Sequence, residues 1–437
     1  MAQQHPTELL PTLKRLGNRH RLQELARQYG VIVRRRTVGI YPFFWTLVLG
    51  FTTGNERTLA GLRRAFERAS GRTITPSAFY DRFTPRLAHM MRAVLADLMA
   101  GTMAAERGLD GILSSFRDVL IIDSTLIRLN DLLAKSFPAS RTNHTLAALK
   151  THVILSVRGG GATSLKITSG RQADGPLLRA GKWVRGRLLL FDLGYYRFQL
   201  FACIDREGGF FISRLKTGAN PVITALYQRL RGRKVVLVGE KLQDVLGRLR
   251  RRVLDVEVDL DYRKRSYGGK RSGASYRCRL VGVWNDETHE YHLYATNIPS
   301  ERLAAEDIAR TYAARWLVEL AFRELKGQYR LDEMPSANRA VIETLVYAAF
   351  IAMIASERLL AYVRGKLRRE HRNRLPRERW AAVFVAACPE LLALLLDHSV
   401  PATRARFLER MLLKEIVDPN LSRALLLERV SRGASAA

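Results

Sequence analysis

Residues 188–195 read Leu-Leu-Leu-Phe-Asp-Leu-Gly-Tyr, an uninterrupted apolar run that stops at Asp192. A second run of the same kind, residues 119–122, stops at Asp123. Short apolar runs bounded by charge or glycine are typical of strands buried on both faces of a parallel or mixed sheet. Ligands of open α/β sheets gather beyond the carboxyl ends of the strands, so the two aspartates can converge on one point. Taken alone, each aspartate is equally an ordinary turn or cap residue.

A polar helix face is predicted further along, where Tyr312-Ala-Ala-Arg315-Trp-Leu-Val-Glu319 is followed by Lys326. At about 100° per residue, these four polar side chains fall within an arc of about 60°. The opposite side is apolar and is formed by Ala313, Ala314, Leu317, Val318, Leu320, Ala321 and Leu325. The pattern predicts one helix whose apolar face packs against the protein and whose polar face carries a function. The ordinary alternative is a solvated polar face with ion pairs.

Asp123, Asp192 and Glu319 together form the kind of site that hard divalent cations require. Magnesium prefers oxygen ligands and keeps several waters, so a few carboxylates are sufficient to bind it. Two such ions about 3.5 to 4 Å apart activate the attacking oxygen and stabilise the leaving oxygen in a displacement at phosphorus. The three carboxylates therefore point to metal-dependent phosphoryl transfer.

These motifs resemble those of the DDE transposases of bacterial insertion sequences, in the group with a Tyr-Arg-Glu-Lys signature. The likeness covers roughly residues 115 to 330, and the signature agrees at Tyr312, Arg315, Glu319 and Lys326. It implies a ribonuclease-H-like α/β core, with Asp123, Asp192 and Glu319 as catalytic ligands of two Mg²⁺ ions that Mn²⁺ is expected to replace. Arg315 and Lys326 are then expected to contact DNA phosphate, with Tyr312 supporting the same backbone.

The spacing of the acidic residues predicts an inserted unit. Asp192 follows Asp123 by 69 positions, whereas Glu319 follows Asp192 by 127, which is too long for one crossover helix. The second interval contains runs of strand-like alternation. They follow the strand-like segment 209–213 and lie around residues 234–238, 253–260, 279–283 and 291–295. Transposases of this group often carry a β-rich insertion at the same place.

The predicted insertion is strongly basic. From Arg231 to Arg279 there are 15 Lys or Arg against 6 Asp or Glu, a net charge of +9 in 49 residues. A stripe of this kind fits a DNA backbone, although a solvated loop is the alternative. The residues expected to bind phosphate are Arg250, Arg251, Arg252, Arg263, Lys264 and Arg265.

Two aromatic residues of the insertion are candidates for base stacking. In some relatives, an aromatic side chain of the insertion receives a base flipped out of the duplex while the DNA end closes into a hairpin. Tyr291 is the position we compare with it, and Trp284 is the second candidate. Aromatic residues buried in a strand are the commoner explanation for both.

The composition is consistent with double-stranded DNA, the partner that the resemblance implies. The chain has 72 Lys or Arg against 41 Asp or Glu, a net charge of +31 over 437 residues, which usually indicates nucleic acid or an anionic membrane surface. The uncharged segments 37–55 and 344–356 are read as core helices, because they are shorter or less apolar than a membrane span. The 3 cysteines and 9 histidines have no zinc-binding or disulfide spacing, which favours a reducing bacterial cytoplasm.

Five regions are expected along the chain. They are a helical DNA-binding domain at 1–110, the first part of the core at 111–216, the β-rich insertion at 217–303, the second part of the core at 304–360 and a helical region at 361–437. The first region contains two amphipathic stretches, 58–69 and 77–98, with Ser77 as the expected cap of the second. This pair resembles a helix-turn-helix reader of a terminal DNA sequence.

Lys150, His152 and Asp174 lie between the two aspartates and are candidates for supporting roles. Lys150 and His152 open a predicted strand, and Asp174 follows a glycine turn. Each is more often an ordinary strand-edge or turn residue, so none belongs to the predicted catalytic set.

The function predicted is that of a DNA transposase. It cuts the ends of its element, joins the freed 3′ hydroxyls to target DNA and can pass through a DNA hairpin. A homodimer is expected by analogy, since two ends have to be held together. A structure-selective nuclease and a non-enzymatic DNA-binding regulator derived from a transposase are the alternatives. A regulator has no need for Asp123, Asp192 and Glu319 all to be acidic.

Overall fold

A computed structural model of the chain describes residues 9–32, 38–51, 58–103, 109, 111–140, 145–227, 237–263, 273–332, 334, 336–368, 371, 375–397 and 402–417. The helices are α1 (Leu9–Leu16), α2 (Arg19–Gln28), α3 (Ile40–Trp45), α4 (Leu59–Ser70), α5 (Pro76–Tyr80), α6 (Pro85–Met103), α7 (Phe198–Arg206), α8 (Leu242–Leu246), α9 (Ala305–Ala313), α10 (Trp316–Gly327), α11 (Arg339–Lys366), α12 (Arg377–Leu396) and α13 (Ala402–Glu415). The strands are β1 (Asp118–Arg128), β2 (Ala148–Ser156), β3 (Gly161–Ser169), β4 (Arg187–Phe191), β5 (Phe210–Arg214), β6 (Val222–Leu226), β7 (Val253–Arg263), β8 (Gly273–Asn285) and β9 (Glu290–Thr296).

The chain divides into two compact units. A helical unit comprises residues 1–101, 127–149 and 321–437, and a sheet unit comprises residues 102–126 and 150–320. Each unit is therefore built from segments that are distant in the sequence. The five-region division at the predicted boundaries stays a prediction.

One large mixed sheet of nine strands has the order β3-β2-β1-β4-β5-β9-β8-β7-β6. Strand β4 pairs in parallel with both β1 and β5. From β5 onward the pairings are antiparallel, so the strands of the predicted insertion continue this sheet. Strand β4 is buried along its whole length, as expected for a parallel strand covered on both faces.

The pairing of β1 with β4 positions the two aspartates. Ile122 lies opposite Phe191, so Asp123 and Asp192 are the next residues of two adjacent parallel strands. Asp192 directly follows β4, as predicted, but β1 continues to Arg128. The expectation that Asp123 ends its strand is therefore wrong. The apolar run ends at Ile122 because burial lessens there, whereas the extended backbone does not stop.

Stacked aromatic rings fill the layer between the sheet and α7. The rings of Phe201 on α7 and Phe211 on β5 lie 4.4 Å apart with an interplanar angle of 15°. Gly209, just before β5, lets the chain pass close to Val184 and α7, because a Cβ there would lie 2.8 Å from the Val184 side chain, 2.9 Å from its carbonyl oxygen and 3.0 Å from Ile204. The layer holds the end of β4, and hence Asp192, in a fixed position.

The helical unit confirms some of the N-terminal expectations and corrects others. Helix α4 begins after Thr58, whose hydroxyl accepts from the Gly61 amide, and it ends at a left-handed glycine, Gly71. The predicted second helix is two helices, α5 and α6, because residues before a proline disfavour helical backbone and Pro85 begins α6. The cap of α5 is Thr75 and not Ser77, since its hydroxyl accepts from the Ala78 amide.

Two helices of this unit, α11 and α12, are long and apolar enough to cross a membrane by length and composition alone. In α11, 89% of the most apolar window is buried, and residues 344–356 are buried throughout. The prediction that this segment is a core helix is confirmed. In α12, 50% of the window is buried.

A partly buried ionic cluster joins three helices of the helical unit. Arg377 at the start of α12 contacts Glu324 of α10 at 3.0 Å and also contacts Glu357 of α11. Two carboxylates thus share one guanidinium. Burial, together with the charge of Glu324, raises the pKa of Glu357 to about 6 although Arg377 opposes the shift.

We expect Glu357 to make the helical unit less stable as the pH rises from about 4.5 to about 6. A carboxyl whose pKa is raised in the folded state binds more protons there than in the unfolded chain, so its ionisation disfavours folding. The shift from 4.5 to about 6 corresponds to about 2 kcal/mol. Urea unfolding midpoints measured across this window should fall with pH in the wild type and fall less in Glu357→Gln. The control is Glu378→Gln, which neutralises an exposed carboxylate on α12. If Glu378→Gln reduced the pH dependence of the unfolding midpoint as much as Glu357→Gln does, Glu357 would not be the group responsible.

Candidate active site

The site is built at the end of the parallel strand pair. Asp123 continues β1, and Asp192 begins a short 3-10 turn at Leu193–Tyr195. The Tyr195 amide donates to the Asp192 carbonyl at 3.0 Å, which fixes this turn. The Ser124 amide donates to Asp123 Oδ1 at 2.7 Å. Local backbone contacts thus set the direction of both segments.

The predicted single helix at 312–326 is two helices. Helix α9 ends at Ala313 and α10 begins at Trp316, with Ala314 and Arg315 in a tight turn between them. The amides of Arg315 and Val318 donate to carbonyls three residues earlier, so the chain is wound more tightly here than in an α-helix. The tight turn changes which side chains share a face. Periodicity alone cannot detect it.

Arg315 brings two of the predicted carboxylates together. Its guanidinium donates to Asp123 Oδ2 at 3.0 Å and to Glu319 Oε1 at 2.6 Å. All three side chains are largely buried, with exposed fractions of 18% for Arg315, 17% for Asp123 and 32% for Glu319. Charge-assisted bonds at this degree of burial are stronger than surface ion pairs. One arginine therefore links β1 to α10.

The carboxylates carry more negative charge than one guanidinium neutralises. Burial raises the pKa of Asp123 to about 6, and the charges of Asp192 and Glu319 act in the same direction. Arg315 and the Ser124 amide oppose the shift without cancelling it. The site therefore favours a further cation.

Tyr312 is buried, although it was expected on the polar face. Its hydroxyl donates to the Phe191 carbonyl at 3.3 Å, and its ring lies 5.2 Å from that of Tyr294. Burial raises the pKa of Tyr312 to about 12, so the phenol stays neutral. Its observed role is to hold the last residue of β4, directly before Asp192.

Trp316 and Leu317 are the residues that the sequence reasoning missed. The helical pattern predicts Leu317 on the apolar side, yet Leu317 is 43% exposed, and Trp316 is 50% exposed. Val318, Ala321 and Leu325 are buried as expected. The tight turn before α10 rotates the first two residues outward, so two large apolar side chains flank Arg315 and Glu319 at the surface.

The donor set suits a hard divalent cation, although the observed spacing is not that of a coordination sphere. Carboxylate oxygens and surplus negative charge are what Mg²⁺ prefers. Among the residues that the structure describes, no three His, Cys, Asp or Glu side chains stand close enough to hold one ion. Arg315 bridges Asp123 and Glu319. The Arg315 guanidinium thus lies between two of the three carboxylates proposed to bind metal.

Lys326 lies in the last turn of α10. It is partly buried, and burial lowers the pKa of its ammonium group, with Arg128 acting in the same direction. Its expected contact with DNA phosphate stays a prediction.

The basic stripe of the insertion is partly exposed and partly paired. Arg250, Arg251, Arg252 and Arg263 are exposed, while Lys264 and Arg265 lie outside the described residues. Arg252 forms a surface ion pair with Asp286 at 2.8 Å. The exposed arginines remain candidates for phosphate binding.

Two arginines counted in the basic stripe are bound to aspartates of the facing strand. Arg279 donates to both oxygens of Asp255 at 2.7 Å, and the two side chains are 2% and 4% exposed. Arg277 forms a similar exposed pair with Asp259. Arg279 is therefore part of the fold and not of a DNA surface. The sequence count could not separate the two roles, since the pairing depends on strand register.

Tyr291 and Trp284 lie opposite each other on β9 and β8. Their rings are 5.1 Å apart and nearly perpendicular, and both side chains are partly exposed. The Tyr291 hydroxyl donates to the Arg251 carbonyl. The pair thus ties neighbouring positions of β8 and β9 to the segment that carries the exposed arginines. Its role in base stacking stays a prediction.

The known proteins similar to this chain are transposases. A family model described as the transposase DDE domain matches residues 114–355. The chain is 22% identical over 394 residues to the transposase for insertion sequence element IS231C of Bacillus thuringiensis subsp. berliner, covering 81% of this chain and 80% of that protein. It is 18% identical over 384 residues to the transposase for IS1151 of Clostridium perfringens, covering 80% of each. Among solved structures, the piggyBac transposase synaptic complex with hairpin DNA is similar over 96% of this chain and 89% of that chain, with 12% identity and a TM-score of 0.45.

Proposed function

The chain belongs to the transposase DDE domain family, and from this premise we propose that it cleaves the ends of an insertion sequence and joins them to target DNA. Asp123, Asp192 and Glu319 are the acidic residues of this chemistry. The observation that carries the proposal is the Arg315 bridge between Asp123 and Glu319, two carboxylates from distant parts of the chain. Such convergence is unexpected for an ordinary solvated helix face.

We infer a ribonuclease-H-like core in strands β1 to β5. Their order is β3-β2-β1-β4-β5, with β4 parallel to both of its neighbours. In this arrangement, Asp123 and Asp192 end up side by side because they follow paired residues. The remaining strands form the β-rich insertion between Asp192 and Glu319.

Asp123, Asp192 and Glu319 are proposed to hold two Mg²⁺ ions, with Mn²⁺ able to replace them. When bound, the ions activate the attacking oxygen and offset the charge that develops on the leaving oxygen. Arg315, released from its carboxylate partners, then contacts a DNA phosphate beside the cleaved bond. Tyr312 keeps Asp192 in place through the Phe191 carbonyl. Lys326 is proposed as a second phosphate contact.

The proposed reaction has two steps at phosphorus. In the first, water attacks a phosphodiester at the element end, the bond from phosphorus to the 3′ oxygen breaks, and a 3′ hydroxyl and a 5′ phosphate result. In the second, this 3′ hydroxyl attacks a target phosphodiester and displaces the target's own 3′ oxygen. No covalent bond between protein and DNA is required. A hairpin intermediate would add two steps between these: the freed 3′ hydroxyl attacks a phosphodiester of the opposite strand of the same duplex and displaces that strand's 3′ oxygen, and water then reopens the hairpin to regenerate the 3′ hydroxyl. Tyr291 or Trp284 would stack on the base extruded in the hairpin.

The partner is double-stranded DNA, both element ends and target. The exposed arginines of the insertion, Arg250, Arg251, Arg252 and Arg263, supply phosphate contacts. A homodimer would hold two ends for joining. The cytoplasm, where the element's DNA lies, is the proposed location.

The experiment that tests the joining step uses pre-cleaved element ends with Mg²⁺ and a target plasmid. Ends with a 3′ hydroxyl should be joined, whereas ends with a 3′ dideoxy nucleotide should bind equally well and not be joined. Equal joining of both ends would contradict the 3′ hydroxyl as nucleophile. Binding of both ends with no product from either would favour a DNA-binding regulator.

A further inference from the structure

A polar cluster beside the active site is centred on Asp174. Its Oδ1 accepts from the Ser124 hydroxyl at 3.0 Å and from the Lys150 ammonium at 3.1 Å. The Lys150 and Asp174 side chains are only 13% and 21% exposed. Ser124 directly follows Asp123, so a single carboxylate links Lys150 on β2 to the side chain next to the first aspartate. An ordinary turn residue would not need these two side-chain hydrogen bonds.

The second acidic segment is held against the same carboxylate by a glycine. A Cβ at Gly194 would lie 3.1 Å from Asp174 Oδ2, and the next nearest atoms also belong to Asp174. Gly194 is not among the glycines with positive φ. Glycine in Asp192-Leu-Gly194-Tyr195 is therefore favoured by space, since an added Cβ would require Asp174 or the turn that begins at Asp192 to shift by a few tenths of an ångström.

His152 makes a further connection between β2 and the Asp192 turn, separate from Asp174, because its Nδ1 lies 3.4 Å from Asp174 Oδ1 without a proton to share. Burial lowers the pKa of His152 to about 4, so the ring is neutral. The Thr168 hydroxyl gives its proton to the Ser169 carbonyl and accepts from His152 Nε2 at 2.9 Å. His152 Nδ1 is then the acceptor for the Tyr195 hydroxyl at 3.3 Å. With this tautomer, the hydrogen bond between His152 and Tyr195 connects the turn after Asp192 to β2.

We propose that Asp174 is a positioning residue that sets the separation of Asp123 and Asp192. It holds the first through Ser124 and the second through the close contact with Gly194, and it does not itself contact the substrate. Lys150 balances its charge, so the cluster is neutral overall. The proposal rests on the proposed function, since the separation of the two aspartates matters for a pair of cations that they share.

The test compares Asp174→Ala, Asp174→Asn and Ser124→Ala with the wild type as full chains. Three quantities are measured: Mn²⁺ binding without DNA by titration calorimetry, Mn²⁺ dependence of end cleavage, and binding of element-end DNA. Loss of residues that orient metal ligands typically weakens metal affinity by about 10 to 100-fold. We expect such a loss in Asp174→Ala and Ser124→Ala, a smaller loss in Asp174→Asn, which keeps one acceptor oxygen, and unchanged DNA binding. Ser124→Thr, which keeps the hydroxyl, should restore the wild-type values.

Two double variants separate positioning from stability. Lys150→Met with Asp174→Ala removes the unpaired charge, so this variant should fold and still bind Mn²⁺ weakly. Gly194→Ala should weaken Mn²⁺ binding in the wild type and have little further effect in Asp174→Ala, because the close contact is then gone. The control is Asp244→Asn, the neutralisation of an exposed aspartate on α8. It should change none of the three quantities.

The outcomes distinguish this proposal from the proposed function. Metal-dependent cleavage by the wild type, with unchanged Mn²⁺ affinity and cleavage in Asp174→Ala and Ser124→Ala, would overturn the positioning role and leave the transposase function intact. Full recovery in the Lys150→Met, Asp174→Ala variant would also overturn it, since only charge balance would then matter. Absence of Mn²⁺ binding and cleavage in the wild type would overturn both proposals.

Discussion

Glu319→Gln is expected to abolish cleavage of element ends while leaving their binding unchanged. The amide has nearly the shape of the carboxylate but cannot supply the negative oxygens that a hard cation requires. We expect the cleavage rate to fall at least about a thousandfold, equivalent to about 4 kcal/mol of transition-state stabilisation. Asp123→Asn and Asp192→Asn should behave alike. Single-turnover cleavage and a gel-shift titration on the same DNA measure the two quantities separately.

The matched control is Glu306→Gln on the neighbouring helix α9. Glu306 is exposed and has no place in the site, so the same chemical change should leave cleavage at the wild-type rate. Cleavage by any one of the three site variants at a rate near wild type would remove that residue from the catalytic set. Loss of DNA binding in all three would indicate instead that the carboxylates hold the fold.

Arg279→Met is expected to destabilise the sheet unit by about 3 to 5 kcal/mol, because it leaves the buried Asp255 carboxylate without its partner. Arg279 also donates to the carbonyls of Ile298 and Leu303, so its loss leaves further buried acceptors unsatisfied. The free energy of unfolding from urea titration measures the effect. Arg279→Met combined with Asp255→Leu should recover much of the stability, since the buried charge is then absent.

Arg250→Ala is the control for this pair. Arg250 is exposed, so its loss should leave the free energy of unfolding unchanged. If it binds phosphate, its loss should reduce the slope of log affinity against log salt by about 0.9. The opposite result would be a stable Arg279→Met variant that binds DNA weakly, together with an Arg250→Ala variant of unchanged DNA affinity. It would show that Arg279 contacts DNA and that Arg250 does not.

Much of the site could be predicted from the sequence because its chemistry is carried by residue type and by strand ends. Asp123 and Asp192 follow apolar runs, and parallel pairing of those runs is sufficient to place them side by side. Glu319 and Arg315 are four residues apart, a separation that brings side chains together on helical backbone. Strands β7, β8 and β9 of the insertion were also evident from their alternation. Strand β6 was not predicted, and the run predicted around 234–238 lies mostly outside the described residues, with Leu237 and Val238 not in a strand.

The features that escaped prediction depend on contacts between distant residues or on small changes of backbone winding. The tight turn at Ala314 and Arg315 exposes Trp316 and Leu317 and cannot be read from a pattern averaged over the segment. The pairing of Arg279 with Asp255 follows from the register of β7 against β8. The role of Asp174 depends on Ser124, 50 positions earlier, and on the space beside Gly194.

The most direct measurement is cleavage of an end-labelled duplex that spans the boundary between the element's terminal repeat and flanking DNA. The reaction is run with Mg²⁺ and with EDTA, for the wild type and for Glu319→Gln. Our account predicts cuts at the element boundary that require Mg²⁺ and are absent in the variant. Cuts that ignore the boundary would indicate a nuclease, and binding of the repeat with no cut under any metal condition would contradict the account.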